Sequence, residues 1–357
     1  MPHGWALTTG LITAGLLMPV LPGTAAGAVQ PSCFGLPATI VVTAPGEVTN
    51  GTAGDDVIVG SSGPDEINGR GGNDRICGLD GDDTLTGGTG NDRVDGGEGT
   101  DVVVGDRYAV DGNVMGPGGN DLLLGGPGDL EFVVGDNYTL RGDASGNGGN
   151  DTLDGGPGFR DRVTGDNRSE SRAGLASGNG GDDRVVDSAG DFEVLTGDNV
   201  SFSNRPVTGN GGADVLRNLD GGSLILHGDS RNIGDVRGRA GDDRIYGGPG
   251  ADRLVVGDFI SNRVAASVPG TGNDRVVTGA GDDGVLLGGI FGDNAVESRV
   301  GTTSGGGNDR IAAGAGDETI NAGPGNDAMD GGADTDVCNG DVGTDTAANC
   351  ETVTGVP

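Results

Sequence analysis

The chain of 357 residues contains no lysine, only two histidines and one tryptophan, and aromatic residues make up 3% of it. Its 21 basic residues are therefore all arginines, set against 54 acidic ones, for a net charge of −33. A polyanion of this size repels nucleic acid and anionic lipid, so neither nucleic-acid binding nor membrane insertion is expected. At 33% hydrophobic content there is no material for a large globular core, and no series of long apolar helices that could build a pore. The histidines, His3 and His227, cannot supply an H-E-x-x-H zinc site, and no G-x-S-x-G nucleophile turn occurs. His227 reads as a core or loop residue at the end of an apolar run. Carboxylates are plentiful, so a glycosidase pair is not excluded by residue type. The aromatics that sugar-binding clefts use for stacking are few: Trp5, Tyr108, Tyr138, Tyr246 and seven phenylalanines. The 79 glycines do not fall at every third position, which excludes collagen, and their density excludes the helices that flank an EF-hand.

What the chain does have is glycine and aspartate at a fixed period. Between residues 51 and 104 an aspartate returns every nine residues, at Asp56, Asp65, Asp74, Asp83, Asp92 and Asp101. Two places after each stands Ile58, Ile67, Ile76, Leu85, Val94 or Val103; two places before each stands a glycine. The glycine half suits a turn with positive φ, and the other half alternates polar and apolar like a short strand with one inward side chain. Such a strand buries little alone, but stacked copies bury a ladder of Ile, Leu and Val. Stacking also superposes the aspartates, which repel unless something positive lies between them. Carboxylate and backbone carbonyl oxygen together are the ligand set of a hard cation, and a flexible cage favours Ca²⁺ over Mg²⁺. About 16 divalent ions would cancel the net charge. Low hydrophobicity with high charge further predicts a largely disordered metal-free chain that folds on binding metal.

The units Gly-Gly-Thr-Gly-Asn-Asp-Arg-Val-Asp and Gly-Gly-Glu-Gly-Thr-Asp-Val-Val-Val match G-G-x-G-x-D-x-U-x, and so the chain resembles the RTX (hemolysin-type) calcium-binding nonapeptide family. The resemblance implies an all-β fold, a parallel β-roll or β-helix solenoid, holding several Ca²⁺ ions. It implies side-chain ligation by Asp56, Asp65, Asp74, Asp83, Asp92 and Asp101, and at the matching later positions by Asp121, Asp151, Asp183, Asp214, Asp243, Asp252, Asp274, Asp283, Asp309, Asp327 and Asp336. Carbonyl ligands would come from turn glycines such as Gly88, Gly90, Gly97 and Gly99.

Residues 1–28 read as a secretory signal: 6–21 are apolar or small, and Ala26-Gly27-Ala28 fits a cleavage site, although the leading segment carries His3 and no Lys or Arg. Residues 29–50 form a cap segment in which 38–42 read as a strand covering the first open edge. Tandem nonapeptides occupy 51–104. From 105 to 304 longer repeats take over, in which a Gly-Asp pair recurs at Asp106, Asp136, Asp166, Asp198, Asp229, Asp258 and Asp293, at spacings of 30, 30, 32, 31, 29 and 35. Each such unit holds about three strands: one through the nonapeptide, one before Gly-Asp and a looser one after it. A two-sided roll with bulging segments and a three-sided helix both fit. Polar loops at 168–177, 201–208 and 264–269 would line one edge. Residues 305–357 return to the nine-residue beat at Asp309, Glu318, Asp327, Asp336 and Asp345, with Glu318 and Asp334 departing from the motif. The four cysteines allow three pairings; joining neighbours gives Cys33–Cys77 and Cys338–Cys350, a staple at each end.

These features predict a secreted, extracellular, non-enzymatic calcium-binding protein with a structural or adhesive role. Its partner would lie at the cell surface or in the matrix, or be a second copy of itself. The competing expectation is a polysaccharide lyase, epimerase or hydrolase built on a calcium-bound β-helix.

Overall fold

The computed structural model describes residues 30–191, 193–219, 225–232, 236–261, 272–280, 283, 289–292, 295–296 and 306–357. The segment 1–28 expected as a secretory signal, Asp293 and the expected loop at 264–269 lie outside the described residues. Pro31–Pro357 is one compact unit, and its described residues form strands and turns with no helix.

Each nonapeptide makes half a coil. Val57–Val59 lies on a first sheet, Glu66–Asn68 on a second, and Arg75–Asp80 returns to the first. Successive coils pair in parallel with a register of two nonapeptides: Ile58 lies opposite Ile76, Ile76 opposite Val94, and Ile67 opposite Leu85. Among the described residues two parallel sheets of 13 strands each run through the unit. Inward side chains from both sheets form one continuous cluster from Val42 to Cys338, almost all of it sealed from solvent. The core is thus two rows of Ile, Leu and Val facing each other, which a composition poor in hydrophobic residues can fill.

The longer repeats do not interrupt this core. Val103 pairs with Val133, Val133 with Val163, Val163 with Leu195 and Leu195 with Leu226. The short register resumes where Ile311 meets Met329 and Ile320 meets Cys338. The two-sided roll therefore continues through the middle, and the additional residues form an excursion from it. The excursions stack into a third parallel sheet, of seven short strands among the described residues, beginning with Arg107–Ala109, Asn137–Thr139 and Arg168–Ser169. Tyr138 packs from this sheet onto Val104 and Val134 of the second. Within the excursions Asn137 donates to Asn167 at 2.8 Å and Asn167 to Asn199 at 2.9 Å.

Segments 168–177 and 201–208, expected as polar loops, are partly strand: Arg168–Ser169, Ala176–Ser177, Val200–Ser201 and Val207–Thr208. The reason is the stacking itself. Each coil offers the next a parallel neighbour at the same offset, so even two-residue polar segments find backbone partners.

At the ends, Ile40–Val41 pairs with Val57–Val59, and Thr352–Thr354 with Val337–Asn339. Cys33 is bonded to Cys77 with Cα atoms 5.8 Å apart, and Cys338 to Cys350 with Cα atoms 6.0 Å apart.

Candidate metal centre

The turns connecting the two sheets form two edges, and the motif aspartates line both. On the first edge each aspartate accepts a hydrogen bond from the backbone N–H of the aspartate one coil earlier. Asp56 donates to Asp74 Oδ1 at 2.8 Å, Asp74 to Asp92 at 2.7 Å and Asp92 to Asp121 at 2.7 Å. The chain of contacts runs on through Asp151, Asp183, Asp214, Asp243, Asp274, Asp309 and Asp327 to Asp345. The ladder crosses the change from short to long repeats without a break. On the second edge Asp65 donates to Asp83 at 2.8 Å and Asp83 to Asp101 at 2.8 Å. Asp252, Asp283, Glu318 and Asp336 form its later stretch, Asp252 to Asp283 at 2.7 Å and Glu318 to Asp336 at 3.0 Å.

This contact uses one oxygen of each carboxylate. The other, Oδ2, is buried without a hydrogen-bond donor in Asp74, Asp83, Asp92, Asp101, Asp121, Asp151, Asp183, Asp214, Asp243, Asp309, Asp327, Asp336 and Asp345. A buried anion without a counter-charge is costly. Burial accordingly pushes Asp92 up to about 7, against the lowering effect of its hydrogen bond from Asp74, with the charges of Asp74 and Asp106 adding to the rise. Asp83 and Asp309 rise to about 7 and Asp121 to about 9, in each case chiefly through burial.

Backbone oxygen faces the same orphaned atoms. A Cβ placed on Gly69 would strike both Asp74 Oδ2 and the carbonyl oxygen of Gly87; one on Gly78 would strike Asp83 Oδ2 and the Gly96 carbonyl; one on Gly87 would strike Asp92 Oδ2 and the Gly105 carbonyl. Carboxylate and carbonyl therefore converge from successive coils, and only glycine leaves that space open. Among the described residues no three Asp, Glu, His or Cys side chains converge as a preformed cage. The donor set is one carboxylate per half-coil with backbone oxygens making up the rest, which fits the oxygen-rich shell of Ca²⁺. Further carbonyls face orphaned oxygens in the same way, among them Gly125 beside Asp101, Gly135 beside Asp121 and Gly99, which a Cβ on Gly128 would strike together with the donorless Glu131 Oε1. Gly88 and Gly97 stand one position after Gly87 and Gly96, at φ 115° and 102°, where a Cβ would strike the Arg70 and Leu79 carbonyls of the preceding coil. Gly90 and Gly99 lie under Gly72 and Gly81 in the same way.

Two candidates differ from the rest. Asp56 Oδ2 accepts the N–H of Thr52 at 2.6 Å and its hydroxyl at 2.9 Å, and Asp65 Oδ2 accepts the N–H of Ser61 at 2.6 Å. In both units the second motif glycine is replaced by a hydroxyl residue that caps the carboxylate, so no orphaned oxygen remains there to demand a cation.

The structure also places residues that the motif overlooked. Val133 and Val163 stand in register with Val103, which sets Glu131 and Asp161 at the place of Asp101 on the second edge. Glu131 donates its N–H to Asp161 Oδ1 at 3.1 Å, and burial, then its contact with the Asp161 carboxyl, pushes it up to about 9. Their signal was an acidic residue two places before an inward valine, without the preceding glycine. Glu318 fills a ladder position despite its extra methylene, and Asp334 adopts the positive φ (86°) of the glycine it replaces.

His227 is wholly buried on the strand Ile225–His227, and burial holds its imidazole well below the usual range. A surface pocket of about 520 Å³ beside Arg217, Leu219, Tyr246 and Val277 is lined by no carboxylate or histidine.

A family model described as RTX calcium-binding nonapeptide repeat (4 copies) matches residues 50–85, 78–107, 144–159, 235–259, 270–289, 303–338 and 313–347. The matches thus reach into the longer repeats as well as both ends. No curated protein matches the chain.

Proposed function

Since the chain is an RTX calcium-binding nonapeptide repeat protein folded as a parallel β-solenoid, we propose that it is a secreted, non-enzymatic scaffold whose folding is driven by Ca²⁺. The observation that carries this reading is the row of buried, donorless Oδ2 atoms, most of which, from Asp74 to Asp309, face a backbone carbonyl from the next coil. Where calcium is scarce the carboxylates repel and the chain stays open; where it is plentiful the ions replace the repulsion with ligation, and the coils close on their hydrophobic row. Two disulfides support an oxidising, extracellular setting. The role that follows is structural or adhesive, through a surface partner or a second copy.

The test is a Ca²⁺ titration of the metal-stripped chain followed by far-UV circular dichroism, with Mg²⁺ as control. A coil-to-strand transition with Ca²⁺ alone is expected. Identical spectra in chelator and in Ca²⁺ would overturn metal-driven folding. Sedimentation with and without Ca²⁺ distinguishes self-association from a foreign partner.

A further inference from the structure

The middle coils carry a second column of aspartates that the nonapeptide does not explain. Where the chain leaves the second sheet it reads Gly-Asp, and Asp106, Asp136, Asp166, Asp198 and Asp229 are all sealed from solvent. Each accepts the N–H of the glycine at which its excursion returns. Gly119 donates to Asp106 at 2.9 Å, Gly149 to Asp136 at 3.2 Å, Gly181 to Asp166 at 3.1 Å, Gly212 to Asp198 at 3.0 Å and Gly241 to Asp229 at 3.1 Å. That bond closes the base of the excursion and occupies one oxygen. The Oδ2 atoms of Asp136, Asp166 and Asp198 are buried and meet no donor.

These oxygens point at one another's neighbours in a repeated arrangement. Beside Gly148, Asp136 Oδ2 and Asp166 Oδ1 face one point, and a Cβ there would strike both. The same clamp recurs at Gly180 between Asp166 and Asp198, and at Gly211 between Asp198 and Asp229. Among the described residues no ion pair reaches Asp136, Asp166 or Asp198. Two facing carboxylates in a dry interior repel unless a proton or a cation lies between them.

We propose that a hard divalent cation, Ca²⁺ first among them, binds between each of the pairs Asp136/Asp166, Asp166/Asp198 and Asp198/Asp229, as a row of sites separate from the nonapeptide rows. All donors on view are oxygen, which selects such an ion. Burial and then the like charges of Asp183 and Asp136 act on Asp166, so the two acidic columns lie side by side and add to each other's demand for positive charge. The ion ties the base of one excursion to the next and holds the third sheet in register on the roll.

The experiment counts calcium bound per chain by equilibrium dialysis, for the unsubstituted protein, Asp166→Asn and Asp111→Asn. Asp166 faces two clamps, so its variant should lose two ions with an unchanged far-UV spectrum. Asp111, whose side chain is 70% exposed, should lose none. A folded Asp166→Asn chain with an undiminished count overturns the proposal and assigns a shared proton to the pair. If that variant does not fold, crystals of the unsubstituted protein grown with Tb³⁺ decide. Anomalous density between Asp136 and Asp166 supports the row, and its absence there overturns it. The inference rests on the calcium-binding reading but fails separately. A chain that binds no calcium loses both, whereas an intact nonapeptide count that Asp166→Asn leaves unchanged removes only the second row.

Discussion

Stripping metal from the protein at about pH 8 should unfold it, and lowering the metal-free solution to about pH 4 should restore strand structure, because protons and Ca²⁺ compete for the same carboxylates. Asp92 is 1% exposed, and its carboxyl moves from 3.8 to about 7 in the fold. Each pKa unit is worth about 1.4 kcal/mol, so keeping Asp92 ionised in the metal-free fold costs about 4 kcal/mol. Asp309 rises likewise to about 7, and the pair together costs about 8 kcal/mol. An ordinary domain has only about 5–15 kcal/mol to lose. The direction follows from linkage. The folded pKa values are raised, so stability is fully present below the unfolded value of 3.8, falls as pH climbs toward 7, and stays lost above it. Calcium reverses this by holding the carboxylates ionised, and should release protons when added at intermediate pH. Circular dichroism of metal-stripped protein across the pH range, with a pH-stat trace during calcium addition, reads both effects. Metal-free protein equally folded at both ends of the range, with no proton release, would refute the reasoning.

Other expectations concern single positions. Gly87→Ala places a methyl against Asp92 Oδ2 and the Gly105 carbonyl, and should lower the melting temperature and calcium count, whereas Gly54→Ala, which meets nothing within 4 Å, should change neither. Asp92→Asn should remove bound calcium while Asp56→Asn and Asp65→Asn leave the count unchanged, since Thr52 and Ser61 already cap those carboxylates; dialysis of the three variants checks this. Cys33→Ser with Cys77→Ser opens a link spanning 44 residues and should cost about 4 kcal/mol in a calcium-saturated denaturation, against about 3 kcal/mol for the shorter Cys338–Cys350 link.

Much of the fold is legible in particular residues. The apolar residue two places after nearly all of the motif aspartates, Ile58 to Met329 among them, is the inward residue of its strand, because a strand alternates faces and a stack repeats them; after Asp252 the inward residue is Val255, one place later. The beat of the Gly-Asp pairs marks where excursions begin. Less legible was what those excursions become. Residues 168–177 lack any apolar alternation, and their short strands exist only because a neighbouring coil supplies parallel partners.

The candidate site divides in the same way. Asp92 and Asp309 stand out in the sequence because a tandem motif repeats the same turn. Glu131 and Asp161 do not, because only their register with Asp101 shows that they share its edge. The capping of Asp56 by Thr52 is local in sequence, yet its meaning depends on the contrast with donorless neighbours deeper in the stack.

By itself the sequence determined the repeat, the inward rows and the need for positive charge, because periodicity and charge are properties of the chain read along its length. Only the tertiary structure decided that one two-sided core runs through short and long repeats alike, which carboxylate oxygens lack a donor, and that Asp136, Asp166, Asp198 and Asp229 face one another. Those facts depend on which residue lies above which, and stacking sets that offset at 18 residues in one place and about 30 in another.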